Sequence, residues 1–170
     1  MIYYEMLIQR NCSICKTQPL NLFFELFKDG IAPDLKGHEL VYCHRSIWYC
    51  KTCLWGFIES YSHDCFYPDK PWDYAAWFGL EPIDLGILDD YTRSCPDNFD
   101  PLCVCPVHLH LQNSFEKIML RPHTFQSMKS PRVTHLLMVD RVNGQPIFRQ
   151  ADQTYCLYYG TLVFKLNVPD

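Results

Sequence analysis

Cys12-x-x-Cys15 and Cys50-x-x-Cys53 repeat one spacing on either side of a 34-residue interval. Two thiolates so spaced can wrap one side of a tetrahedral ion at about 2.3 Å, because the turn between them aims backbone N–H groups at the sulfurs; two such turns complete four ligands. The interval is longer than in the usual ribbon or finger, so either pair could instead combine with Cys43, His44, His63 or Cys65. A second constellation is "CVCPVHLH", with Cys103, Cys105, His108 and His110, and Cys95 upstream. As an extended segment bent at Pro106 it puts Cys103 with Cys105 on one side, and likewise His108 with His110. Four ligands from so short a run would be strained, and a set combining two or three of them with His63 or Cys65 fits better. Structural zinc is the chemistry expected of both groups. The competing interpretation is that the thiols are small buried hydrophobes; Cys156, inside an apolar strand pattern, is read that way, and His135 in another as a satisfied structural histidine. A closed four-ligand site contributes folding free energy and leaves no position open to substrate.

Composition narrows what such a metal would serve. Of the 170 residues, 48% are hydrophobic and 15% aromatic, enough to bury a core, and ten are cysteines. The start "MIYYEMLIQRNC" lacks the basic and then apolar regions of a secretory leader, so an intracellular chain is expected, and in a reducing compartment paired cysteines are more often ligands than disulfides. Charges or prolines interrupt every apolar stretch before membrane-spanning length, so no membrane association is expected. A net charge of -4 and a pI of about 5.9 argue against a phosphate-binding surface, which makes a zinc-containing nucleic-acid module the third reading. A small metal-dependent enzyme or nuclease is the second. Cys103 or Cys65 with His108 or His135 could form a thiol nucleophile and base, but no nucleophile elbow, phosphate-binding glycine loop or helical zinc-hydrolase motif is present, and the chain has seven glycines.

The elements that must position these ligands read as an α+β, zinc-stabilised single domain over 1–170, with several short helices and a C-terminal antiparallel β-meander. A Cys-rich lobe over 1–70 and an α+β lobe over 71–170 are the alternative division. Residues 1–9 lean to a strand. "PLNLFFELFKDG" (19–30) reads as a short helix opened by Pro19, and "PWDYAAWFG" (71–79) as one or two helical turns closed by Gly79. Residues 39–61 read as two strands around a cysteine-bearing turn. "IDLGILDDYTRSC" predicts a short helix, 94–106 a loop, and Asn113 with Glu116 a capping box opening a further helix. "VTHLLMVDRV", "QPIFRQ", "TYCLYYG" and "TLVFKLNV" predict strands, with a hairpin turn at Asn143-Gly144. Trp48, Trp55, Trp72 and Trp77 are core by default, although an aromatic surplus of this size also favours an exposed protein-binding patch.

The order of several short motifs carries a resemblance. Cys53-x-x-Gly56-Phe57, Pro71-Trp72-Asp73, Cys103-x-Cys105 ahead of Leu111-Gln112, His135-Leu136 and Gly160-x-Leu162 together resemble the adenovirus early-region-four thirty-four-kilodalton protein family over about residues 40 to 168. The resemblance implies a zinc-dependent viral adaptor of the host nucleus and cytoplasm. Such a protein docks on elongins B and C, recruits a cullin ubiquitin ligase, and marks host proteins with the help of a second viral protein. It would make Cys103 and Cys105 metal ligands. The elongin boxes depart from the family pattern: Leu20 with Phe24, and Leu162 with Leu166, carry a large side chain where a small one is expected. "DCF" at 64–66, followed by Trp77-Phe78-Gly79-Leu80 and Gly86-x-Leu88, is similar to the zinc-bound phosphatase-binding segment of polyomavirus small tumour antigens, also adaptors. On these resemblances the partner-binding residues are Trp72, Trp77, Phe78, Leu20, Phe24 and Leu162, and the partner is a host complex of ligase or phosphatase type.

Overall fold

The computed structural model describes residues 11–16, 19–30, 41–64, 72–116, 133–151, 154–158 and 161–166. Of these, 29–30, 41–43, 62–64, 72–76, 116, 134, 154–158 and 161–166 are described by backbone alone. The strand expected at 1–9 and the candidate ligand Cys65 lie outside the described residues. Eight strands are described: β1 (Asn21–Gly30), β2 (Val41–Tyr49), β3 (Gly56–Asp64), β4 (Trp72–Leu80), β5 (Val133–Val142), β6 (Gln145–Gln150), β7 (Thr154–Tyr158) and β8 (Thr161–Leu166). Two helices, α1 (Pro82–Thr92) and α2 (Pro106–Glu116), lie in the sequence between β4 and β5.

All eight strands belong to one mixed sheet ordered β1-β2-β3-β4-β5-β7-β8, with β6 also on β5. The first four form an antiparallel meander, and β3 pairs with β4 from Gly56↔Leu80 to Asp64↔Trp72, so strands from both sides of residue 70 share the sheet. β4 and β5 are parallel, which requires a long crossover, and the two helices occupy it. The C-terminal strands are antiparallel in pairs, but the meander is interrupted. β6 pairs with Leu137–Val142 and β7 with Val133, so the two take successive stretches of one β5 edge. Asn143 and Gly144 adopt φ of 52° and 79°, the left-handed pair that a two-residue hairpin turn demands.

Two segments expected to be helical are strands, each for an identifiable reason. In β1 the register shifts between Leu22 and Phe24 and again between Glu25 and Phe27. Phe23 and Leu26 are therefore extra residues in two bulges, and each bulge breaks the alternation that would have announced a strand. In β4, Trp77 and Phe78 are successive residues buried against opposite faces of the sheet. A central strand buried on both faces reads as a continuous apolar run rather than an alternating one. Gly79 closes no helix; a Cβ there would lie 3.1 Å from Val133 Cγ1 and 3.2 Å from Trp55 Cζ3, so its role is close packing. α2 corrects a third expectation. Pro106 opens it as the first helical residue, while Asn113 and Glu116 fall near its end.

Each face of the sheet carries its own cluster. On one, Phe24, Leu26, Ile47, Ile58 and Phe78 pack against Leu85 and Leu88 of α1 and Val107, Leu111 and Phe115 of α2. On the other, Phe57, Tyr61, Trp77 and Val133 pack against Cys12, Leu20 and Cys50. The second face also holds a buried polar pair, His44 Nε2 at 3.2 Å from Glu59 Oε2, and the Trp48 indole N–H donates to Ser46 Oγ at 2.8 Å. β5 outruns its last β4 partner, Leu80↔Leu137. The Val139 N–H just beyond is taken by the Asp84 carboxylate, 3.1 Å away, from the first turn of α1. Burial pushes the Asp84 carboxyl above its ordinary value, and the Val139 N–H opposes that rise. Asp84→Ala strands this buried N–H, at a cost of roughly 1–3 kcal/mol. Urea denaturation should show that loss, with Asp84→Asn retaining part of it.

Candidate metal centres

The first centre is built by two turns of the same design. Cys12 and Cys15 lie in the segment before β1, and Cys50 and Cys53 in the turn joining β2 to β3. In each turn the fifth residue closes back on the first cysteine: Lys16 N–H donates to Cys12 O at 3.0 Å, and Leu54 N–H to Cys50 O at 2.9 Å. Lys16 and Leu54 accordingly take φ of 58° and 60°. That left-handed geometry costs a non-glycine residue on the order of 1 kcal/mol, and it persists here because the turn is fixed from both sides. The bridge Asn11↔Pro19 closes the base of the first turn, and Cys50 N–H to Trp55 O, 3.0 Å, that of the second.

The four sulfurs lie within 4.8 Å of one another. Cys12 Sγ to Cys53 Sγ and Cys15 Sγ to Cys50 Sγ are each 3.5 Å. A disulfide would need about 2.05 Å, and the described cysteines are free. A tetrahedron with 2.3 Å metal–sulfur bonds has edges of about 3.8 Å, close to what is observed. The Cys15 N–H approaches Cys12 Sγ at 3.5 Å, the kind of backbone donor that stabilises a bound thiolate. Cys12 and Cys50 are buried, and Cys15 and Cys53 half-buried. Burial pushes the Cys12 and Cys53 thiols above the ordinary value, only partly offset by backbone N–H groups. Cys12 and Cys53 are thus poor anions on their own, and the four sulfurs together make a strong set around a cation.

The second centre draws Cys95, Cys103, Cys105 and His108 together, again within 4.8 Å. Cys95 follows α1, Cys103 and Cys105 precede α2, and His108 stands in the first turn of α2. His108 Nδ1 is 3.1 Å from Cys95 Sγ and 3.8 Å from Cys105 Sγ, and Cys95 and Cys105 are 3.6 Å apart. The ring is wholly buried, stacked on Phe24 at 4.3 Å, and Nε2 lies 2.8 Å from the Glu25 carbonyl. A carbonyl oxygen only accepts, so Nε2 donates to it; in the neutral ring Nδ1 then turns its lone pair toward the sulfurs, the tautomer a metal ligand requires. Burial pushes the Cys95 thiol up to about 12. Burial acts to raise Cys105 as well, but the His108 N–H and ring, with the Cys103 and Cys95 thiols, outweigh it and bring Cys105 down to about 7.

His110, expected alongside His108, points elsewhere. Residues two apart on a helix face different directions, whereas Cys105 and His108, three apart, share a side. His110 Nε2 instead bonds the Pro146 carbonyl of β6 at 2.8 Å. Cys95 completes the set in its place; the sequence signal is only its position upstream of the run. His44 is engaged with Glu59 rather than with sulfur. Of the expected partner-binding residues, Leu20, Phe24, Trp77 and Phe78 are buried within the two clusters, the last three because their strands face covered sides of the sheet and Leu20 because the segment leading into β1 packs under it; they present no surface for docking. The side chains of Trp72 and Leu162 lie outside those described.

The second centre also secures the sheet's edge. Among the described strands β1 is terminal, and its backbone at Glu25 is held from outside: Glu25 N–H donates to Asn98 O at 2.8 Å in the loop between Cys95 and Cys103, and Glu25 O receives His108. Gln112 Nε2 donates to the carbonyl of the bulged Leu26 at 2.6 Å. An exposed edge is a template for unwanted pairing, and here the cysteine loop and α2 cover part of it. Comparison with protein-family models, curated proteins and solved structures finds no match to this chain.

Proposed function

We propose that this protein is a zinc-braced adaptor, whose metals fix the loops that present a protein-binding surface. One observation carries the reading: each cluster supplies four protein ligands, all thiols in the first and three thiols with an imidazole in the second, and such complete sets leave no open position for substrate. Three or four soft thiolates in tetrahedral reach favour zinc, with iron the principal competitor. Apolar side chains stand exposed around the second centre. Phe99, Leu102 and Val104 are 60%, 75% and 77% exposed, on a loop an ion would hold rigid. Pre-ordered apolar side chains bind with less entropic cost than mobile ones.

Recruitment of a host ligase or phosphatase complex, the role implied by the viral resemblance, is the specific form of this proposal. Contact through Leu20 and Phe24 is not part of it, since both are buried. Two measurements on the full chain test the reading. Elemental analysis of protein purified without added metal should give zinc at two equivalents, and affinity purification from host cells should co-isolate stoichiometric ligase or phosphatase subunits with wild type but not with Cys103→Ser/Cys105→Ser. Absence of metal, or identical co-purification with the double variant, removes the proposal.

A further inference from the structure

A groove of about 480 Å³ lies between the two metal centres. Tyr49 and Leu54, which bracket the Cys50 and Cys53 turn, line it from one side, and Asn98 and Phe99, within the loop from Cys95 to Cys103, from another. Leu22 and the bulged Phe23 of β1 and the Pro82–Asp89 face of α1 complete it. Each metal turn thus supplies one wall. Leu54 is 55% exposed at φ 60°, a backbone position that would suit glycine better, and it nonetheless presents a large apolar side chain to the groove. Single exposed apolar residues are ordinary; a concave set of them is not.

The α1 side of the groove is acidic, whereas the Cys50–Cys53 turn opposite carries one exposed lysine, Lys51. Over residues 81–100 Glu81, Asp89, Asp90, Asp97 and Asp100 are all exposed, and Arg93 is the stretch's one basic residue. Arg93 lies 2.9 Å from Asp89 and 3.2 Å from Asp90, leaving the other carboxylates unneutralised by it. We propose that the groove binds a short segment of a partner protein in which large apolar side chains neighbour lysine or arginine. The apolar groups enter between Leu54 and Phe99, and the basic groups meet the carboxylates along α1 and the loop after it. Charge of this kind favours a basic occupant and excludes an acidic one. The inference deepens the adaptor reading by naming the surface and the partner chemistry, and it rests on that reading.

Gly86 provides the test. It lies in the groove, and a Cβ added there meets nothing within 4 Å, so Gly86→Tyr fills the space without crowding the fold. Metal-loaded full-length protein is immobilised and challenged with displayed random peptides of about twelve residues; selected peptides are then synthesised and titrated by fluorescence anisotropy. The expected result is enrichment of peptides combining aromatic or leucine residues with lysine or arginine. Binding should weaken roughly tenfold or more in Gly86→Tyr, and weaken also as salt rises from about 0.05 to about 0.5 M. Enrichment of acidic peptides, no enrichment, or binding indifferent to Gly86→Tyr overturns the proposal. So does a concentration-dependent dimer that Gly86→Tyr dissolves, because the occupant is then a second copy. Metal content is measured in parallel: two equivalents retained with no peptide bound refutes the groove alone, whereas absent metal refutes the adaptor reading beneath it.

Discussion

Chelation of the purified protein at neutral pH will release two metal equivalents per chain, one from each four-ligand group, and lower the thermal midpoint by at least about 20 °C. The size follows from the apparent ~10 kcal/mol that a structural zinc contributes in small modules and about 2–4 °C per kcal/mol for a chain of this length. Differential scanning calorimetry with and without chelator, on samples assayed for metal, measures it; an unchanged midpoint refutes a structural metal. The two forms should also respond oppositely to pH. Without metal, burial holds the Cys12, Cys53 and Cys95 thiols above their ordinary value of 9.0 in the folded chain, and these three outnumber Cys105, which is held below it and acts in the opposite sense. The raised thiols bind protons more tightly folded than unfolded, so their contribution is present below the unfolded thiol pKa and lost as pH rises above it. With metal the thiolates are held by the ion, their effective pKa falls below the unfolded value, and the contribution is lost as pH falls instead. Melting the loaded form from pH 8 down toward about 5, and the chelated form from pH 8 upward, should therefore show losses in opposite directions.

How far the sequence reveals this arrangement depends on how local each signal is. Cys12, Cys15, Cys50 and Cys53 are legible because a C-x-x-C turn carries its geometry within a few residues, and the segments either side of Cys50 and Cys53 are rich in aromatic and β-branched residues. The Asn143-Gly144 turn is legible for the same reason. β1 is not: the bulges at Phe23 and Leu26 are set by pairing with β2 and by the α2 groups that take the Glu25 and Leu26 carbonyls, none of it adjacent in sequence. β4 is hidden because Trp77 and Phe78 are buried on opposite faces, which replaces alternation there with consecutive aromatics. The second centre turns on one conformational decision. If "CVCPVHLH" is extended, His108 and His110 are equivalent; once Pro106 is the first residue of a helix, only His108 faces the cysteines. The left-handed turns at Lys16 and Leu54 are not legible either, since neither position holds the glycine or asparagine that usually marks positive φ.

His108 is the residue at which fold and metal are most tightly joined, and two substitutions separate its roles. His108→Ala removes a ligand, empties a wholly buried site beneath Phe24 and leaves the Glu25 carbonyl without the ring's N–H. It should retain one metal equivalent of the two and lose at least about 4 kcal/mol, the combined scale of a cavity, an unpaired acceptor and a lost ligand. His108→Cys instead places a thiol three positions after Cys105, the same C-x-x-C spacing that builds the first centre, with all four ligands present. This variant should keep both metal equivalents and give up roughly 1–3 kcal/mol, because only the tie to β1 and the stacked ring are gone. Urea denaturation with metal assay distinguishes the two, and amide exchange along β1 reports the tie directly: the Glu25 N–H, bonded to Asn98 O, should exchange faster in both variants than in wild type. If His108→Cys loses its metal like His108→Ala, the ring rather than the fourth ligand organises the centre. If neither variant loses metal, His108 does not bind it, and the second centre reduces to three thiols beside a core histidine.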